Sequence, residues 1–276
     1  MLGAEPKSVY VLSVIIAVLA LVASASGLLI DSLYRDNILV TSALRGNDLV
    51  TLAIAVPMLV AALILSMRGS QRAQLVWLGI LVYTLYNYAF YLFGAAFNWF
   101  FLIYVVLFTM SIYALIFGLS RVDVNGISQN FQARTPVKWI SGFMLFFAVF
   151  LGGMWIARSI SFVATGKVPQ DIVDTGHPTG VVYAIDLSLL VPSLILGAIL
   201  LWKRQPWGYV IGAVMMVKAT TYALALIAMS IFADRAGVPG AWDLAPLWAF
   251  LGVGTLLASL FLLGNLKPAK KEEKQR

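Results

Sequence analysis

The chain has no cysteine and one histidine, His177, in 276 residues. No cysteine means no disulfide framework, no thiol nucleophile and no thiolate metal site. A single histidine excludes a histidine-rich membrane metal site by count. Charge is scarce too: 11% of residues are charged, against roughly 25% in a soluble domain. No Walker loop, HExxH or GxSxG pattern occurs. No resident cofactor is implied.

What is abundant is apolar. Hydrophobic residues make up 61% of the chain. They are gathered in blocks of about 20, the length that crosses a ~30 Å hydrocarbon layer at ~1.5 Å per residue. The chain therefore reads as an all-α integral membrane protein, because a barrel would show weak alternation instead. The net charge of +7 does not indicate nucleic acid, since the basic residues sit between apolar blocks and at the C-terminus, as membrane orientation requires.

Eight membrane helices are expected, over about Val9–Ile30, Leu49–Met67, Leu75–Ala96, Trp99–Leu119, Trp139–Ala157, Val181–Leu201, Gly208–Phe232 and Leu244–Leu263. Lys7 before the first block and Ala23-Ser24-Ala25 within it raise a signal peptide as the competing reading. Against it, the apolar run continues through Gly27-Leu28-Leu29-Ile30. The stretch Asp31 to Asp48 reads as a polar loop, and so do 120–138 and Arg158 to Gly180. This divides the chain into a four-helix half (1–119), a linker (120–138), a second four-helix half (139–266) and a basic tail (267–276).

An even number of helices puts both termini on one side. That side carries thirteen basic residues, the other five, with Lys218 left over within a helix. The bias places the termini in the cytoplasm and the chain in the cell membrane as a multi-pass protein. Eight of the twelve acids fall outside. Trp77, Trp139, Trp202 and Trp207 fall at cytoplasmic helix ends, and Trp99, Trp155, Trp242 and Trp248 at external ends, as interfacial anchors should.

The stretch Asp48–Tyr91 is echoed by Asp186–Tyr222. Aligning Pro57 with Pro192 puts Thr51 on Asp186 and Arg68 on Lys203; a small gap then brings Gly79 onto Gly212 and Asn87 onto Thr220. The loop-length pattern, more than the identities, favours an internal 4+4 duplication. Four helices per half make such repeats parallel, related by an axis along the membrane normal.

Lys218 is the residue hardest to explain as surface. An unpaired ammonium at mid-membrane costs at least ~3 kcal/mol on insertion scales. It should therefore face the bundle interior, find a partner, or be neutral; the plainer reading is a lysine that snorkels or is satisfied by hydroxyls and backbone carbonyls. Helical spacing puts Met215, Thr221 and Tyr222 on its face. On the third helix Tyr83, Tyr86, Asn87, Phe90, Tyr91 and Gly94 share one face, which should point inward either as a site or as helix–helix glue. Asp186 lies near the external end of the sixth helix, one to two turns outward of Lys218, and Asp48 reads as the N-cap of the second. Asp171, Asp174 and His177 have the spacing of a loop cation site, with a solvated loop as the plainer reading. Gly208-x-x-x-Gly212, Gly152-Gly153 and Gly252-x-Gly254 mark close packing.

A lysine in a seventh helix also raises microbial rhodopsins. Position 214 is Val where an acid would precede that lysine, and the third helix has no carboxylate, so the resemblance fails.

These residues point to a small carrier or channel-like protein, its site lined by Lys218, Asp186, Asn87, Tyr83, Tyr86 and Tyr222. Its partners would be the lipid bilayer and a small anionic solute or a proton. The alternative is a membrane subunit, sensor or assembly factor without transport. A third reading, an enzyme on lipid-linked substrates, needs convergent acids, bases or a metal, which only the external loops offer. Whether the polar faces of the third and seventh helices enclose a cavity or pack shut discriminates among them.

Overall fold

The structure is a computed structural model and describes residues 6–268. Among these, eight helices are long and apolar enough to cross a membrane: α1 (Pro6–Leu29), α2 (Ile38–Met67), α3 (Gln71–Phe93), α4 (Phe101–Leu119), α5 (Val137–Thr165), α6 (Val181–Trp202), α7 (Pro206–Arg235) and α8 (Ala245–Asn265). Two short helices, Val124–Asn130 and Gln170–Thr175, lie in connections. Lys267 and Pro268 are the only described residues of the basic tail.

The loop expected over Asp31–Asp48 is mostly helix. Asn37 caps α2, its side-chain oxygen accepting from the Val40 amide at 3.0 Å. The polar residues that follow do not face water. Ser42, Asn47 and Asp48 point in different directions around α2 and are all buried, because α7 and α1 cover the helix on more than one side. Asp48 is therefore not an N-cap. It lies more than two turns inside α2. Likewise α5 continues past Ala157 to Thr165, where Gly166 ends it at φ +68°, so Arg158 belongs to a helix.

α3 and α7 form the centre. In their most apolar windows 72% and 67% of residues are buried, against 28–44% in the other six spans. α7 packs on α2, α3, α6 and α8; α3 packs on α2, α4 and α7; α1 packs on α2 and α4. Within α1, Ser13 accepts the Trp77 indole N–H at 3.0 Å. The α2–α7 crossing is close because Gly46 has no side chain: a Cβ there would lie 2.4 Å from the Met229 backbone nitrogen.

The two spans with a proline in their interior carry a wide, π-helical turn, at Thr51–Ala55 and at Asp186–Leu190. The cause is Pro57 and Pro192, which lack an amide hydrogen and crowd the carbonyl four residues back. The amides of Val56 and Val191 bond five residues back, to the carbonyls of Thr51 and Asp186, and keep the backbone satisfied in the apolar layer. The recurrence is regular. Met67 and Trp202 end these spans, and Gln71 and Pro206 begin the next, each pair separated by the 135 positions that separate the prolines (202 − 67, 206 − 71, 192 − 57). In the turns, Ser70 and Gln205 bond back to Leu65 and Leu200, and Gly69 and Arg204 adopt positive φ. The turns are equal in length, so the gap used to match Gly79 with Gly212 is not needed. At this offset Tyr83 falls on Lys218, and Asn87 on Tyr222 rather than Thr220.

Polar contacts gather the connections at two ends. At one, Arg72 donates to the Leu266 carbonyl, Asn130 to Gln71 and Arg204 to the Ala133 carbonyl. At the other, Asn37 donates to the Asp174 carbonyl, and Asp36 accepts from the Ala96 amide.

Candidate functional site

Between α2, α3, α5, α6, α7 and α8 lies a cavity of about 440 Å³. Its mouth is at the end of the Asp171–Gly180 segment, whose residues Asp171, Thr175 and His177 contribute to it. Its walls are apolar and aromatic: Phe90, Phe147, Phe150, Leu247, Trp248 and Leu251. Its polar base is built by Tyr86 of α3, Asp186 of α6, and Lys218 and Tyr222 of α7.

Lys218 is 1% exposed. Its Nζ sits 3.5 Å from the centre of the Tyr86 ring and 4.5 Å from that of Tyr222, and these two rings meet edge to face at 4.8 Å. An ammonium held over aromatic faces is stabilised by their quadrupoles, the more so away from water. It has no hydrogen-bond acceptor and no carboxylate within 4.0 Å among the described residues. Neither hydroxyls nor backbone carbonyls satisfy it, and snorkelling does not carry it to the membrane surface.

Asp186 does not need the lysine as a direct partner. Its Oδ1 accepts from the Tyr86 hydroxyl at 2.7 Å and its Oδ2 from the Trp155 indole at 2.8 Å. Asp186 opens the π-helical turn before Pro192. Trp155 is thus a structural hydrogen-bond donor at the cavity rather than only an interfacial anchor. It stacks on Tyr183 at 4.2 Å, and the Arg158 guanidinium lies 5.2 Å from its ring centre. At the mouth Arg158 pairs with Asp171 at 2.8 Å, and Tyr183 donates to the same carboxylate at 2.5 Å.

Four of the six expected residues, Lys218, Asp186, Tyr86 and Tyr222, therefore meet at one place. Tyr83 and Asn87 do not line the cavity. The Tyr83 hydroxyl is 2.9 Å from Thr51 Oγ1, and Asn87 donates to the same oxygen at 3.5 Å, so both bind the π-helical turn of α2. Asp171, Asp174 and His177 do not converge. Asp171 is held by Arg158, Asp174 accepts from Gln170 at 2.7 Å, and His177 packs edge-on to Phe90 with ring centres 5.8 Å apart.

Sequence reasoning missed Trp155, Arg158 and the phenylalanines of α5. The available signal was their spacing: Phe147, Phe150, Leu151, Met154, Trp155 and Arg158 recur at helical intervals along one face.

No protein-family model, no curated protein and no solved structure matches this chain.

Proposed function

We propose that this protein is a small carrier or channel-like transporter of the cell membrane, and that Lys218 binds a solute bearing one anionic group on an apolar body. The observation that carries this reading is the base of the cavity. Lys218 presents three N–H donors that no acceptor among the described residues fills, at the end of a cavity with apolar walls. A carboxylate-headed amphiphile supplies both the acceptors and the apolar surface. The mouth faces outside and both termini lie in the cytoplasm, on the support of the thirteen-to-five distribution of basic residues. The regular offset of 135 positions supports a parallel duplication in which α1–α4 and α5–α8 are equivalent and α3 and α7 flank the axis.

A second reading rests on a specific observation. Inward of Lys218 the bundle is closed by buried side chains, among them Leu78, Leu201, Val210 and Ala213. A carrier in one of its states shares that closure with a sensor that binds a ligand and transports nothing.

The test is octanoate, with octylamine as control, on the purified wild type and Lys218→Leu. Octanoate should raise the melting temperature of the wild type alone. Because burying the lysine is a cost carried for function, leucine should leave the free protein as stable or more stable. A Lys218→Leu variant that melts lower and still binds octanoate would refute the assignment. Binding without flux of labelled octanoate in proteoliposomes would select the sensor.

A further inference from the structure

Besides Lys218 and Asp186, a further ionisable residue is buried in the apolar layer, and it takes no part in the cavity. Asp48 of α2 is 1% exposed. No cation among the described residues lies within 4.0 Å of it, and Arg45, one turn outward on the same helix, pairs instead with Asp31 at 2.7 Å. Phenols surround the carboxyl group. Tyr34, from the α1–α2 loop, donates to Oδ2, and the Tyr91 hydroxyl of α3 lies 2.9 Å from Oδ1. Tyr88 and Tyr104 pack on the Tyr91 ring at 5.4 and 5.2 Å. Gly27 of α1 closes the last side, where a Cβ would overlap the carboxyl group.

The hydrogens can be counted. The Tyr91 hydroxyl is also 2.8 Å from the Leu44 carbonyl oxygen. A carbonyl only accepts, and a hydroxyl has one hydrogen to give. If Asp48 is ionised, Tyr91 faces two acceptors with one hydrogen, and one close contact sets lone pair against lone pair. If Asp48 carries a proton on Oδ1, it donates to Tyr91, Tyr91 donates to Leu44, and Tyr34 donates to Oδ2. Each contact then holds one hydrogen. Burial acts in the same direction, since an uncompensated carboxylate is far costlier to bury than a neutral acid. The second half supplies the contrast. The Tyr183–Asp171 hydrogen bond places Tyr183 at the 135-position offset from Asp48, and there Arg158 neutralises the acid. The position 135 before Arg158 is Ala23. Around Asp48 the phenol remains and the cation is gone.

We propose that Asp48 is a proton-binding site and that its carboxyl group is protonated at neutral pH in this conformation. The site stands whether or not the protein carries a solute. In a carrier it would supply the coupling ion, held in the first half while the solute occupies the second. Thr51 and Tyr83, hydrogen-bonded at 2.9 Å, and the Tyr83–Tyr222 ring contact at 6.5 Å lie between the two.

The test is infrared difference spectroscopy of purified wild type and Asp48→Asn at neutral pH. The wild type should show the carbonyl stretch of a protonated, hydrogen-bonded carboxylic acid, shifted in heavy water, and Asp48→Asn should lack it. No such difference band means an ionised Asp48 and overturns the proposal. Tyr91→Phe removes the acceptor of that proton, so the band should remain and move to higher frequency; a band that stays in place overturns the hydrogen-bond assignment. Asparagine reproduces the donor pattern of the neutral acid, so Asp48→Asn should melt no lower than the wild type. A marked fall would show phenols set to solvate a carboxylate.

Discussion

Lys218 and Asp48 are both buried ionisable residues, but they meet their surroundings differently. Lys218 is surrounded by aromatic faces and lacks acceptors among the described residues, whereas each carboxyl oxygen of Asp48 has one hydrogen-bond partner, a pattern that a neutral acid satisfies. The first arrangement leaves room for a ligand and the second for a proton. His177 offers a third case, outside the membrane-spanning segments. Burial pushes its pKa below the ordinary 6.5, with Asp36 acting against the shift. The folded protein therefore keeps the imidazole neutral at pH values where the unfolded chain has begun to take up a proton. Below 6.5 the unfolded state binds more protons, so stability falls as pH falls. Asp36, raised by its own burial, acts in the opposite direction nearer the carboxylate range. The melting temperature should drop between about pH 7 and pH 5.5, and His177→Gln should flatten that slope. An unchanged slope would assign the acid sensitivity to another group.

At the scale of elements, close approach is decided by a few positions. Gly46 in α2 lies against the Met229 backbone, with a substituted Cβ 2.4–2.5 Å from its nitrogen and Cα. Backbone cannot turn aside as a side chain can, so Gly46→Ala should push α2 off α7. The expected cost is about 1–3 kcal/mol, typical of overpacking, read as a lower melting temperature in detergent. Gly153 in α5 has nothing within 4 Å of a substituted Cβ. Gly153→Ala should therefore melt no lower than the wild type, since alanine is the better helix former. Equal loss in both variants would mean that helix propensity, not the crossing, controls stability. The π-helical turns belong to the same scale. Each widens its helix just before a proline, and one brings Asp186 to the cavity while the other presents Thr51 to Tyr83 and Asn87.

For the whole molecule, the even number of spans places the described ends on one face, where Arg72 reaches the Leu266 carbonyl and Arg134 reaches Asn265. The proposed orientation predicts that reporters at Ser70 and Asn130 are cytoplasmic and one at Thr175 is external. The reverse pattern would overturn it and would turn the cavity mouth inward. The two recurring segments, around Pro57 and around Pro192, differ in their polar residues. At the common offset Tyr83 occupies the place of Lys218, and Thr51 that of Asp186. The hydrogen-bonded hydroxyls of Thr51 and Tyr83 thus align with two ionisable residues, Asp186 and Lys218, and the latter two line the cavity.

Much of this was determined by sequence alone. Apolar blocks of membrane length specify eight helices because a lipid layer leaves the backbone no other partner than itself. Depth within a block marked Lys218, and helical spacing placed Tyr86 and Tyr222 where they could reach it. Sequence failed where polarity stood for exposure. Ser42, Asn47 and Asp48 read as loop because they are polar, yet they are buried, since only the packing of α2 against α1 and α7 shows that the helix is covered on more than one side. Tyr83 and Asn87 share a helix face with Tyr86, but a face of α3 wide enough for all three borders two environments, the cavity and the π-helical turn of α2. The partners of Asp48 come from α3 and the α1–α2 loop, and Trp155 reaches Asp186 from another helix. Those meetings depend on how helices distant in the chain cross, and only the tertiary structure decides that.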